Sequence, residues 1–140
     1  MIKILLADDH AIFRENIASL LQSDGTFELV AEAEEGDEAW RLIQQHLPDV
    51  AILDVSMPGL NGIEVASQLK EVGLKTRVLL LTSHDDPTLT LQAHKAGVTG
   101  YILKEDTFDK LAIAILAVNC GGHFMSLQVV NKLVEFLNLN

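Results

Sequence analysis

Three runs along the chain are apolar with almost no interruption: Ile2 to Ala7, broken only by Lys3, then Val50 to Leu53 and Val78 to Leu81. Runs of this kind suit β-strands covered on both faces, as in a parallel sheet. Between them the apolar positions take a helical period. Phe13, Ile17, Leu20 and Leu21 fall at i, i+4, i+7 and i+8, which predicts a helix over 11–22 with one buried face. Gly36-Asp37 opens a second helix through Ala39, Trp40 and Ile43, stopped before Pro48. Asn61 is placed to cap a third, which buries Val65, Ala66 and Leu69. Asp86-Pro87 starts a fourth, with Asp at the cap, Pro at the first helical position and Gly97 past the end. A fifth runs from about 107 to 118 and stops at Gly121-Gly122.

Two further segments read as strands. Glu28 to Ala33 alternates and carries charge, as an edge strand does, and Tyr101 to Leu103 is expected at the opposite edge. Strands alternating with amphipathic helices are the βαβα signal of a parallel sheet with helices on both faces, and five such units can be drawn. After Gly122 the pattern changes. Ser126 can cap a sixth helix carrying Val129, Val130, Leu133, Val134, Phe136 and Leu137, with no strand of its own expected. Those residues are too many to leave in water, so the segment is expected to dock on its own domain or on a second copy.

Composition narrows the class. A chain of 140 residues suits one domain, and 49% hydrophobic content excludes a disordered one. No stretch approaches the roughly 20 apolar residues of a membrane span. Met1 runs straight into a strand without the marks of an export signal, so a soluble, cytoplasmic protein is expected. Cys120 is the only cysteine, which excludes an internal disulfide or a thiolate metal cluster. A net charge of −10 with ten scattered basic residues opposes DNA binding by this chain alone.

The candidate chemistry lies at the strand ends. Asp8 and Asp9 follow the first strand, Asp54 the third, Thr82 the fourth and Lys104 the fifth. Open parallel sheets bind ligands outside the carboxyl ends of their strands. Three carboxylates gathered there repel one another and call for a cation; Mg²⁺, which takes oxygen ligands and keeps several waters, fits best. Lys104 could pair with Asp54 at rest and with a phosphoryl oxygen after reaction, and Thr82 offers a hydroxyl to the same oxygens. Each residue alone has a plainer explanation as a cap, a turn or a solvated side chain; their coincidence argues for a site. His10, His46, His84, His94 and His123 lack metal-ligand spacing and read as surface or capping residues.

The strings Leu5-Leu6-Ala7-Asp8-Asp9-His10, Ile52-Leu53-Asp54-Val55-Ser56-Met57-Pro58-Gly59, Leu81-Thr82-Ser83 and Gly100-Tyr101-Ile102-Leu103-Lys104 resemble the receiver domain of two-component response regulators over residues 1–119. The segments 8–15, 96–101 and 121–126 further resemble the NarL/FixJ (LuxR-type) subfamily. The resemblance implies a flavodoxin-like, doubly wound, five-stranded parallel sheet of order 2-1-3-4-5, with helices on both faces and an extra C-terminal helix. It implies a receiver at 1–120 and a linker or helical extension at 121–140, the subfamily's DNA-binding helix-turn-helix domain being absent from this chain. Asp54 would accept a phosphoryl group from a sensor histidine kinase. Asp9 would bind Mg²⁺ directly, Asp8 through water, and the Ser56 carbonyl would complete the protein ligands. Thr82 and Lys104 would hold the phosphoryl group, Thr82 and Tyr101 would form a switch pair, and phosphorylation could drive homodimer formation that controls transcription.

By this reading the chain is a phosphoacceptor and not an enzyme acting on outside substrates. Departures exist. Asn16 stands where the subfamily often has Gly, and Glu105 follows Lys104 where many receivers have a proline in a cis peptide, which leaves the isomer of that bond open. The rival is a Mg²⁺-dependent phosphatase with an aspartyl-phosphate intermediate, which needs a second acid where this chain has Ser56. An FMN carrier would need a hydroxyl- and glycine-rich loop where Asp8-Asp9 stands. A stand-alone receiver acting by protein contact is the remaining alternative.

Overall fold

A computed structural model describes residues 1–139 of the chain, so the last residue of the expected 121–140 extension, Asn140, lies outside the described residues. Strands and helices alternate as β1 (Ile2–Ala7), α1 (Ala11–Gln22), β2 (Phe27–Ala33), α2 (Gly36–His46), β3 (Val50–Asp54), α3 (Gly62–Val72), β4 (Arg77–Thr82), α4 (Pro87–Lys95), β5 (Gly100–Leu103) and α5 (Thr107–Asn119). A single 3₁₀ turn, Lys104–Asp106, joins β5 to α5, and β6 (Phe124–Met125) and α6 (Leu127–Leu139) follow. All strands pair in parallel, in the order β2-β1-β3-β4-β5-β6. The chain therefore steps outward from β1 to β2, returns to β3 on the other side, and continues to β6. Where the winding reverses, the carboxyl ends of β1 and β3 lie side by side with a crevice between them.

The period of two divides the core. Leu5, Ala7, Ala51, Leu53, Leu80 and Tyr101 face one side, where Ile43 of α2, Val65 and Leu69 of α3, Ala93 of α4 and Val129 of α6 pack on them. Ile4, Leu6, Ile52, Leu79, Leu81 and Ile102 face the other, under Ile17 and Leu21 of α1 and Leu111, Ile115 and Val118 of α5. Helix starts follow the caps expected of them. Asn61 closes a capping box with Glu64, and the Asp86 carboxylate accepts the Thr88 amide at 2.9 Å ahead of Pro87.

The C-terminal end corrects one expectation. β5 is not the edge of the sheet: Phe124 and Met125 pair with Gly100 and Tyr101 as a sixth strand, so the segment expected to lack a strand has one. Ser126 extends the ladder. Its amide donates to Tyr101 O at 3.1 Å and its buried hydroxyl accepts the Leu103 amide at 3.0 Å. Ser126 thus stands one residue before α6, as the sequence suggests, but its hydroxyl satisfies the sheet. The helix docks on its own domain through buried Val129 and half-buried Val130 and Leu133, while Gln128 donates to Asp85 at 2.7 Å. Val134 and Leu137 stay about half exposed.

Gly62, the first residue of α3, rests on the main chain of β3; a Cβ there would lie 2.5 Å from the Asp54 carbonyl oxygen and 2.8 Å from a Leu80 methyl. Backbone cannot yield as a flexible side chain does. Gly62→Ala is expected to lower unfolding free energy by about 1–3 kcal/mol, read as a lower urea midpoint with an unchanged slope.

Candidate functional site

The acidic strand ends meet in the crevice between β1 and β3. Asp8 is fully buried, Asp54 is 2% exposed, and Asp9 stays open to solvent. One ligand atom each from Asp8, Asp9, His10 and Asp54 lie within 4.8 Å of one another. Register explains the meeting. Ala7 pairs with Leu53, so the residues that follow each strand emerge level with each other. By the alternation that points Leu6, Ile52 and Ile102 toward α1 and α5, Asp8, Asp54 and Lys104 fall on that same side of the edge.

Lys104 reaches into the acid cluster from the turn after β5. Its Nζ lies 2.9 Å from Asp8 Oδ2 and 2.9 Å from Asp54 Oδ2, and 4.9 Å from the Phe13 ring centre. The Lys104 ammonium donates a hydrogen bond to Asp54; its contact with Asp8 Oδ2 is an ion pair without hydrogen-bond geometry, and that buried oxygen has no hydrogen-bond partner among the described residues. The other oxygens are used locally: Asp8 Oδ1 accepts the His10 amide at 2.7 Å and Asp54 Oδ1 the Ser56 amide at 3.1 Å. Arg14 ties the loop down by donating to Asp8 O at 2.7 Å while facing Glu32 and Glu34.

Burial and the neighbouring charges both act on the titration of these groups. Burial raises the Asp54 pKa above its ordinary value; the Lys104 hydrogen bond opposes this and the nearby Asp8 charge reinforces it. Burial would lower the Lys104 pKa, but the contacts with Asp8 and Asp54 outweigh it and hold the lysine above its ordinary value.

Thr82 is buried at the end of β4, where its hydroxyl accepts the His84 amide at 3.0 Å and donates to His84 O. Tyr101 is 3% exposed, its ring turned into the core on the α4 side. Its hydroxyl lies beside Thr82 and Thr90 without hydrogen-bond geometry to either, and burial raises its pKa. Thr82 and Tyr101 thus share one side of the sheet, while Asp8, Asp54 and Lys104 share the other. Ser56 is exposed next to Asp54. No cis peptide occurs among the described residues, so the Lys104–Glu105 bond is trans.

His10, expected as a surface or capping residue, is exposed. It occupies the N-cap position of α1 but its side chain makes no capping bond; the imidazole stands over the acids instead, with Nδ1 3.1 Å from Lys104 Nζ. Its place beside Asp8 and Asp9 was the available signal; that Asp54 from the end of β3 joins the group is decided by the fold.

The arrangement is a crevice of convergent carboxylates with one ammonium and a buried oxygen that makes no hydrogen bond among the described residues, suited to a divalent cation and an incoming anion. The response regulator receiver domain family matches residues 4–116, and the chain belongs to it. A NarL-type transcriptional regulatory protein of Mycobacterium tuberculosis is 41% identical over 132 residues, covering 94% of this chain and 61% of that protein. The oxygen regulatory protein NreC of Staphylococcus epidermidis is 38% identical over 138 residues, covering 97% of this chain and 63% of that protein. The crystal structure of a LuxR-family two-component response regulator from Aurantimonas superposes with a TM-score of 0.92 at 32% identity, covering 99% of each chain. This is therefore a receiver domain of the NarL/LuxR type, a module of two-component signalling. The chain spans about three-fifths of the length of the curated relatives it matches. No helix among the described residues is long and apolar enough to cross a membrane.

Because burial raises the Asp54 pKa, the folded protein holds that proton more tightly than the unfolded chain, and ionised Asp54 opposes folding once pH exceeds the unfolded carboxylate range. In the presence of chelator, Asp54→Asn is expected to be more stable than wild type at pH 7. The gap should shrink as pH falls through the raised Asp54 pKa; urea melts at several pH values measure it, and a gap that widens at low pH would contradict the assignment.

Proposed function

We propose that Asp54 accepts a phosphoryl group from the phosphohistidine of a sensor kinase, with Mg²⁺ held by Asp9 directly, by Asp8 through water and by the Ser56 carbonyl. The observation that carries this reading is the meeting of buried Asp54 with Asp8, Asp9 and Lys104 at the point where the sheet winding reverses. Asp8 Oδ2 supports it, since this buried oxygen has Lys104 as an ion-pair partner but no hydrogen bond among the described residues, and keeps lone-pair capacity for a water or a cation. When bound, Mg²⁺ would neutralise the carboxylates and the phosphoryl oxygens.

This chain's residues do the rest. An Asp54 carboxylate oxygen attacks phosphorus; the P–N bond breaks and its electron pair stays on the donor imidazole. Lys104 moves its ammonium contact from the free carboxylate to a phosphoryl oxygen, and Thr82 turns its hydroxyl from the His84 backbone to another. Release of Thr82 gives the neighbouring Tyr101 hydroxyl a different environment, and the α4–β5 surface changes with it. The receiver thereby acts as a phosphoacceptor that shifts the population of a homodimer. Output is transcription, through a DNA-binding part of the kind the relatives' names as regulators suggest; the acidic chain itself does not bind nucleic acid. A phosphatase acting on outside substrates is disfavoured by Ser56, which provides no second acid beside Asp54.

Acetyl phosphate with Mg²⁺ is expected to add one phosphoryl group by intact-mass spectrometry. Asp54→Asn should remain unlabelled and excess chelator should abolish labelling; equal labelling in either sample would overturn the assignment. Sedimentation with and without beryllofluoride checks the assembly step, a rise in the dimer fraction being expected and an identical mass distribution removing it.

A further inference from the structure

The His10 imidazole stands over the acid crevice, and its orientation is informative. An ammonium has no acceptor, so in the 3.1 Å contact with Lys104 Nζ the His10 Nδ1 must accept. Its lone pair therefore faces the crevice, with Nε2 carrying the ring proton. Asp8 Oδ2 and His10 Nδ1 from the loop after β1 and Asp54 Oδ2 from the end of β3 converge on one cationic nitrogen at 2.9, 3.1 and 2.9 Å. The lysine thus marks a point where a cation is already held. From His10 Nδ1 the distances to Asp8 Oδ1, Asp9 Oδ1 and Asp54 Oδ2 are 3.3, 3.5 and 4.0 Å. Donors about 2.1 Å from a six-coordinate ion stand roughly 3 Å apart when adjacent and about 4.2 Å apart when opposite, and these separations lie in that span. Asp8 Oδ2, buried and met by Lys104 as an ion pair without hydrogen-bond geometry, keeps lone-pair capacity facing the crevice.

We propose that His10 is an additional ligand of the divalent-cation site, through Nδ1, and makes this receiver prefer nitrogen-seeking transition ions such as Co²⁺ over Mg²⁺. The proposal rests on the reading of the acid crevice as a divalent-cation site. Imidazole suits Co²⁺, Ni²⁺ and Zn²⁺, whereas Mg²⁺ favours oxygen and gives up water reluctantly, so a nitrogen ligand should strengthen the first group and hardly affect the second. With 68% of its side chain exposed, the His10 ring is not locked by packing and can trade its Lys104 contact for a bound ion.

The test is calorimetric titration of the full chain with CoCl₂ and with MgCl₂, for wild type, His10→Ala and His10→Asn, taking only the cobalt that excess Mg²⁺ displaces. This excludes cobalt held by His46, His84, His94 or His123. Both variants are expected to bind Co²⁺ at least about tenfold more weakly and Mg²⁺ within about twofold of wild type. Wild type loaded with Co²⁺ should show a paramagnetically shifted, exchangeable imidazole N–H proton resonance that the variants lack. Unchanged Co²⁺ affinity, equal losses for both metals, or a shifted resonance that survives His10→Ala would overturn the proposal. Absence of any Mg²⁺-displaceable site in wild type would overturn the underlying metal-site reading as well, which separates the two failures.

Discussion

Two carboxylates buried at neighbouring strand ends and one ammonium between them govern the carboxyl edge of this sheet. Asp8 and Asp54 present oxygens within 4.8 Å of each other in a region that excludes most water. At the effective dielectric of such a site, like charges at that separation repel by about 3 kcal/mol. Lys104 offsets this by contacting both, and the balance remains incomplete: Asp54 still titrates above its ordinary range, and one Asp8 oxygen lacks a hydrogen-bond partner among the described residues. A site left short of positive charge is set to take a cation and then an anion.

The scaffold around this edge is stiff where the chemistry sits. Asp54 Oδ1 is held by the Ser56 amide, Asp8 Oδ1 by the His10 amide, and the main chain at Asp54 leaves no room for a side chain on Gly62. Rotamer freedom that would otherwise be lost on binding is already removed, which is the physical content of preorganisation. Thr82 and Tyr101 are different. Their hydroxyls make only local or no hydrogen bonds, and they lie on the opposite side of the sheet from Lys104, beneath α4. That sets both hydroxyls beside α4.

The C-terminal segment links this surface to the rest of the chain. Ser126 takes the Leu103 amide one residue before Lys104, and Gln128 holds Asp85 in the loop after Thr82. Ser126, just before α6, and Gln128 within it are thereby bonded to the end of β5 and to the loop after β4. Val129, Val130 and Leu133 cover the α4 and β5 side while Val134 and Leu137 still face water, so docking accounts for part of the helix's apolar surface only.

Local pattern was enough for much of this. Apolar runs buried on both faces, helical periods, the Asn61 and Asp86 caps and the glycine stops are properties of neighbouring residues, and the elements they predict agree with those observed to within a residue or two. The acids at strand ends were legible for the same reason, since a parallel α/β sheet brings all such ends to one edge. Contacts between distant residues were not. A two-residue strand such as Phe124–Met125 has no period to detect and exists because Gly100 and Tyr101 present an open edge to it. The imidazole of His10 could equally have capped α1; it lies over the acids because Lys104, 94 residues away, offers it a proton there. Which apolar residues of α6 are buried, and which titrating groups are crowded, depend on what the fold sets beside them, and only the tertiary structure decides that.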